Sequence, residues 1–274
     1  MEERDDPFFK LIDTHAHLDE VQDLEEALKK AQDVGIRGIV GVGTDLASNE
    51  KILHLAARFP NFVLPAVGLH PWRLEGIDPQ AQLGLIEKEL PRWVALGEVG
   101  LDFALKTPRE KQEEVLRGLL TIARRENKPV LLHARRAWAE ALGMLKKQGI
   151  ERAIFHWYSG PPDILQQVIA QGYWVSATPA AAYSERHRLA IRAAPLDQLV
   201  LETDAPEIYR GARSEPRDLL KTLQAVSELK GQTPEEIARQ TYRNSLVGSH
   251  GQFERGNGPI GRFSRRGDRR GLLG

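Results

Sequence analysis

The chain has 274 residues, 41% of them hydrophobic, and sets 38 Lys plus Arg against 38 Asp plus Glu. A single core buries roughly three quarters of the surface of such a chain, so a second domain would need positive support. Zero cysteine excludes disulfides, thiolate nucleophiles and Cys-ligated metal, and no apolar run approaches the roughly 18 residues of a membrane span.

The opening stretch Met1 to Asp6 is too charged for a secretory signal, so a cytoplasmic protein is expected. Short apolar runs then alternate with longer segments of helical periodicity. In chain order the runs are Lys10–Ile12, Gly38–Val42, Val63–Val67, Val94–Leu96, Val130–Leu132, Ala153–Phe155, Tyr173–Ser176 and Leu199–Leu201. Helical spacing marks 23–34, 48–59, 109–126, 137–148, 162–171 and 184–193, and prolines 216 and 234 each open one more helix. Gly35, Gly149 and Gly172 stand where a C-terminal stop before a strand belongs. Eight β-then-α units predict an α/β fold, a closed (β/α)8 barrel formed by residues 1–248, with a doubly wound open sheet as the alternative. Residues 249–274 read as a Gly/Arg-rich disordered tail. Six Arg against two acids between Gly251 and Gly274 give that tail +4, which leaves −4 on the rest.

Five of the eight histidines fall at or just beyond the C-terminal end of an apolar run: His15, His17, His70, His133 and His156. Glu98 and Asp204 share that placement. In a barrel all strand C-termini line one rim, so residues far apart in sequence converge. His15 and His17 would face one side of their strand, where alternation has period two. With His133, His156, Glu98 and Asp204 they supply about the ligand count of two divalent cations. His54 and His187, each inside a helical segment, read as helix-surface or boundary residues.

The blocks Asp13-Thr14-His15-Ala16-His17-Leu18, Val67-Gly68-Leu69-His70-Pro71, Gly97-Glu98-Val99-Gly100-Leu101-Asp102, His133-Ala134-Arg135, His156-Trp157-Tyr158-Ser159-Gly160 and Glu202-Thr203-Asp204-Ala205-Pro206 together resemble the TatD family of metal-dependent deoxyribonucleases, in the amidohydrolase superfamily. The resemblance implies that His15, His17 and Asp204 hold one metal, that His133 and His156 hold a second, and that Glu98 bridges them. It places His70 and Arg135 against substrate phosphate. Trp157 and Tyr158 depart from the Cys-Phe common in bacterial members.

Two cations would acidify a shared water, and Asp204 is the candidate to orient it and accept its proton. Trp72 and Tyr158 are candidates to stack a terminal base. The expected function is 3′→5′ exonuclease action on single-stranded DNA or strand ends, the polarity coming from the resemblance. Zinc, manganese, magnesium and cobalt all suit such ligands, and no membrane or obligate protein partner is expected. Two alternatives keep the ligands: an ester or amide hydrolase such as an aminoacyl-tRNA deacylase, and a metal-binding protein whose catalysis has lapsed.

Overall fold

The computed structural model describes residues 9–89 and 92–248; the Gly/Arg-rich segment 249–274 lies outside the described residues. Strands and helices alternate as β1 (Leu11–Ala16), α1 (Leu24–Asp33), β2 (Ile36–Val42), α2 (Leu46–Arg58), β3 (Val63–Val67), α3 (Pro79–Lys88), β4 (Ala95–Asp102), α4 (Arg109–Arg125), β5 (Val130–Arg135), α5 (Trp138–Gln148), β6 (Ala153–Phe155), α6 (Pro162–Ala170), β7 (Trp174–Ala177), α7 (Glu185–Ala193) and β8 (Leu199–Leu201). A hairpin of β9 (Ile208–Tyr209) and β10 (Ala212–Arg213) follows, then α8 (Leu219–Lys230) and α9 (Pro234–Gly248). The eight main strands pair in parallel in the order β1 to β8, the nearly closed barrel that the alternation predicts. Among the described residues no helix is long and apolar enough to cross a membrane.

Period-two alternation sorts the core into two layers. Val40, Val42, Leu64, Ala66, Ala95, Leu131, Ile154 and Val200 fill the barrel interior, and a larger cluster lies between the sheet and the helices. Helix α4 shows how the outer layer forms: Gln112, Val115, Leu116, Leu119, Leu120, Ile122 and Ala123 make one buried stripe at i, i+3, i+4 spacing. Helix α2 starts at a reciprocal cap, in which Ser48 N donates to Asp45 Oδ1 at 2.8 Å and Asp45 N donates to Ser48 Oγ at 2.9 Å. Gly35, Gly149 and Gly172 take φ of 92°, 63° and 77° at the helix ends where the sequence places them.

Carrying the inward parity toward the strand C-termini reaches the site. Two residues beyond Leu131 and Ile154 stand His133 and His156; two and four beyond Val200 stand Glu202 and Asp204. Strand β4 would break this rule, since the residue in register with Ala95 is Gly97. It carries one extra residue instead: Leu96 pairs Val130 and Val99 pairs Leu132, so three steps on β4 oppose two on β5. This bulge turns Glu98 inward. Strand β1 does the same, with Asp13 opposite Ile39 and Ala16 opposite Gly41.

The seam between β8 and β1 lies just past the last strand. His17 N donates to Ala205 O at 2.7 Å, Asp204 N to His15 O at 2.9 Å, and Thr14 Oγ1 to Leu201 O at 3.0 Å. Buried Asp13 reinforces it, accepting Thr203 N at 3.0 Å and Thr203 Oγ1 at 2.5 Å. Burial pushes the Asp13 carboxyl up to about 8, even though both Thr203 hydrogen bonds and the His15 N–H favour its charged form.

Two elements were not expected from the sequence. Helix α3 carries Gly84 at its centre, which weakens helical propensity, and the β9–β10 hairpin is too short to show periodicity. One reading of the histidines also changes. His187 is fully buried, with Nδ1 2.8 Å from Tyr158 O and Nε2 accepting Thr178 N at 3.1 Å. It lies on the inner stripe of α7 with Ala190 and Ile191 and ties the β6 loop to the end of β7, whereas His54 is exposed as expected.

Candidate metal centre

The imidazoles and carboxylates meet at the floor of a cavity of about 700 Å3 at the strand C-termini, whose walls include Trp72, Arg135, Trp138, Trp157, Ile208 and Arg213. His15 Nε2 lies 3.4 Å from Glu98 Oε2 and 3.6 Å from Asp204 Oδ1; His17 Nε2 lies 3.5 and 3.4 Å from the same two atoms. His156 Nε2 is 3.6 Å from Asp204 Oδ2 and 3.9 Å from Glu98 Oε1, and His133 Nδ1 is 2.9 Å from Glu98 Oε1. Glu98 therefore faces all four histidines and Asp204 three of them. Ligand atoms close enough to share an ion fall into three groups: His15, His17 and Asp204; His15, Glu98 and His156; and His70, Glu98 and His133.

Each outer histidine turns its far nitrogen to a second carboxylate. His156 Nδ1 lies 2.8 Å from Glu202 Oε1, and His133 Nε2 lies 3.4 Å from Asp102 Oδ2. Such outer carboxylates fix which nitrogen of a ligating imidazole is free and where it points. Glu202 and Asp102 are the residues that the sequence reading left without a role. The signal was available for Glu202, two residues before Asp204 and on the same parity.

The charge distribution favours a cation at this centre. Burial alone would raise the Glu98 carboxyl, but the nearby His70 and His15 and the hydrogen bond from His133 outweigh it and hold it well below the ordinary range. Asp204 is held low in the same way, against burial, by His156, His17 and His15. Two buried anions draw protons onto their neighbours. Burial works against charge on His156 and His17, yet Glu202, Asp204 and Glu98 raise the first to about 10, and Asp204 and Glu98 raise the second to about 9. A divalent ion would supply that positive charge with better geometry. His15 Nε2 and Asp204 Oδ1, both buried, have no hydrogen-bond partner among the described residues, as ligand atoms should in the absence of their ion. The donor set of imidazoles and carboxylates thus fits the group.

Removing metal with a chelator is therefore expected to lower the thermal midpoint by about 5–10 °C. A ligand at 100 times its Kd stabilises by about 2.7 kcal/mol, and a domain of this size shifts by about 2–4 °C per kcal/mol. Calorimetric melts before and after re-addition of Mn2+ or Zn2+ check it; an unchanged midpoint would mean that the cluster holds no ion.

Backbone conformation is unusual where ligands are aimed. Asp204 takes φ 53° and Trp157, directly after His156, takes φ 42°, a region that costs non-glycine residues of order 1–3 kcal/mol. Trp157 is held there by its N–H, which donates to Ser176 Oγ at 2.8 Å and Glu202 Oε1 at 3.1 Å.

Of the substrate-contact candidates, Arg135 and Trp72 stand exposed on the cavity wall. Tyr158 does not. It is fully buried against Phe155 and Trp138, with its hydroxyl donating to Pro161 O at 2.8 Å, so it offers no ring face for a base to stack on. His70 is also buried rather than facing open space: Nδ1 accepts Trp72 N at 3.2 Å and Nε2 lies 3.4 Å from Glu98 Oε1, which engages both nitrogens that the resemblance assigns to phosphate.

The chain is similar along most of its length to known proteins. The family model described as TatD related DNase matches residues 12–247. The human protein named deoxyribonuclease TATDN3 is 32% identical over 257 residues, covering 86% of this chain and 93% of that one. The Bacillus subtilis protein named uncharacterized metal-dependent hydrolase YabD is 31% identical over 250 residues, covering 86% and 97%. Among solved structures, the Escherichia coli TatD homologue YjjV matches with a TM-score of 0.82 at 28% identity, over 89% of this chain and 99% of that one.

Proposed function

The chain belongs to the TatD family of metal-dependent hydrolases, and from that membership we propose that it is a deoxyribonuclease that removes nucleotides from the 3′ end of single-stranded DNA. The observation that carries the reading is the convergence of His15, His17, Glu98, His133, His156 and Asp204, from five strand ends, on the floor of one cavity. In this reading His15, His17 and Asp204 hold one divalent cation, His133 and His156 hold a second, and Glu98 serves both. When bound, such a pair supplies an acidified water and positive charge opposite the oxygens of a phosphodiester undergoing in-line displacement.

The chain's own groups do the rest. Asp204, whose two oxygens face His17 at 3.4 Å and His156 at 3.6 Å, orients the attacking water and accepts its proton through the oxygen not engaged as ligand. Arg135, exposed on the wall, takes a non-bridging phosphate oxygen with the fork geometry that suits it. Trp72 offers an exposed indole to the terminal base. A cavity of about 700 Å3 with the candidate ligands among its lining suits a strand end better than the middle of a duplex. So does the −4 carried by residues 1–250, because grip on duplex DNA scales with the number of phosphates neutralised.

The test is a 5′-labelled single-stranded oligonucleotide given to metal-stripped protein re-supplied with Mg2+, Mn2+ or Zn2+. The expected result is a metal-dependent ladder shortening from the 3′ end. Intact oligonucleotide with every metal, beside hydrolysis of an aminoacyl ester, would move the assignment from phosphorus to carbon.

A further inference from the structure

Two donors within hydrogen-bond reach are aimed at one oxygen beside the metal centre, and exposed Arg135 Nη1 stands 3.9 Å from the same atom. The Trp72 indole Nε1 donates to Asp102 Oδ2 at 2.9 Å, and His133 Nε2 stands 3.4 Å from that same atom. Asp102 has little freedom to shift toward His133 and shorten that contact. It is fully buried, and its Oδ1 accepts Ala104 N at 2.9 Å. Buried Gln112 clamps its backbone, accepting Asp102 N at 2.7 Å and donating to Asp102 O at 3.0 Å. Trp72 is the mobile partner by construction: its backbone N–H is fixed on His70 Nδ1, but the side chain is 56% exposed at the cavity mouth. Beyond edge contacts with His70 and His133 at 4.5 and 6.0 Å between ring centroids, the indole is held over Asp102 by that hydrogen bond.

We propose that Trp72 and His133 compete for Asp102 Oδ2, which makes Trp72 a positioning residue through which an aromatic ligand at the cavity mouth tightens cation binding at the Glu98 and His133 side. The inference rests on the metal-centre reading above. A planar ligand that draws the indole into a stack releases Oδ2. His133 then closes its long contact to an ordinary hydrogen bond, with Nδ1 directed at Glu98. An outer carboxylate bonded in this way fixes the ring and raises the basicity of the ligating nitrogen. The linkage runs in both directions, so a bound cation also favours the ligand.

Calorimetric titration of Mn2+ into the metal-stripped full-length protein tests it without measuring catalysis. Deoxyadenosine serves as the planar probe, because it has no phosphate through which to ligate the ion. Trp72→Phe keeps a ring for stacking and removes the donor, at an exposed position where the fold does not depend on it. The expected result is that this variant, with no nucleoside present, binds Mn2+ about 5–20-fold more tightly than wild type at one site, and that deoxyadenosine tightens wild type but not the variant. Asp102→Asn, which removes the shared carboxylate, is expected to weaken that site by about 10–100-fold. A Trp72→Phe protein that binds Mn2+ as wild type does, or more weakly, overturns the competition. Wild type that binds no Mn2+ at all overturns the metal reading itself, which separates the two failures.

Discussion

Alanine at position 204 is expected to slow metal-dependent cleavage of a single-stranded oligonucleotide by about 10²–10⁴-fold, the contribution of a positioned proton acceptor. The size follows from how many functions meet on this carboxylate. Its Oδ1 lies 3.6 Å from His15 Nε2 and 3.4 Å from His17 Nε2, and its Oδ2 lies 3.6 Å from His156 Nε2. The backbone that carries it is pinned by the Asp204 N–H on His15 O at 2.9 Å. Asp204→Asn separates the functions: an amide oxygen still ligates but does not accept a proton at neutral pH. The asparagine protein is expected to keep more of its metal than the alanine protein and to be nearly as slow. Single-turnover rates with bound metal counted in each variant decide it. An alanine protein with more than a tenth of the wild-type rate would remove Asp204 from the mechanism.

A change of one methyl group on the next strand pair is expected to do comparable damage by another route. Gly100 takes φ 153°, and a Cβ there would sit 1.8 Å from the carbonyl oxygen of His133. Strand β5 would have to move away from β4 at the residue whose imidazole faces Glu98. Overpacking and a glycine-only backbone conformation together cost about 3–5 kcal/mol, or about 6–20 °C in thermal midpoint for a domain of this size. Gly84 in α3 is the matched control, since nothing lies within 4 Å of a Cβ built there; Gly84→Ala is expected to leave stability unchanged or raise it by about 0.5–1 kcal/mol. Urea and thermal melts of both proteins test the contrast, and a Gly100→Ala protein within 1 kcal/mol of wild type would show that β4 and β5 can separate there at little cost.

The barrel was legible because its apolar runs and helical stripes repeat, and β3, β6 and β8 run as read. Strand β4 shows the limit. Its apolar start, Val94–Leu96, was visible, but the strand continues to Asp102 through Gly97, Glu98 and Gly100, residues with poor strand propensity that are kept in the ladder by burial on both sides. The same bulge that directs Glu98 inward breaks the alternation that would have announced it. Site residues were found by their position after apolar runs, which works for groups on the inward parity such as His133 and Asp204. That rule says nothing of depth, and so it set Tyr158, buried beneath the β6 loop, beside Trp72, exposed at the mouth. Glu202 shares the inward parity of Asp204, but Asp102 has no such signal, because an outer carboxylate is defined by which imidazole nitrogen it meets, and only three-dimensional contact shows that.

The seam between β8 and β1 gives the barrel a built-in order of events. His15 and His17 lie near the start of the chain and Asp204 near residue 200, and the hydrogen bonds that bring them together are the same ones that close the sheet. A nascent chain that has emerged as far as β7 holds five of the six candidate ligands, His15, His17, Glu98, His133 and His156, but lacks Asp204. The candidate metal centre is thus assembled only once translation has passed residue 204.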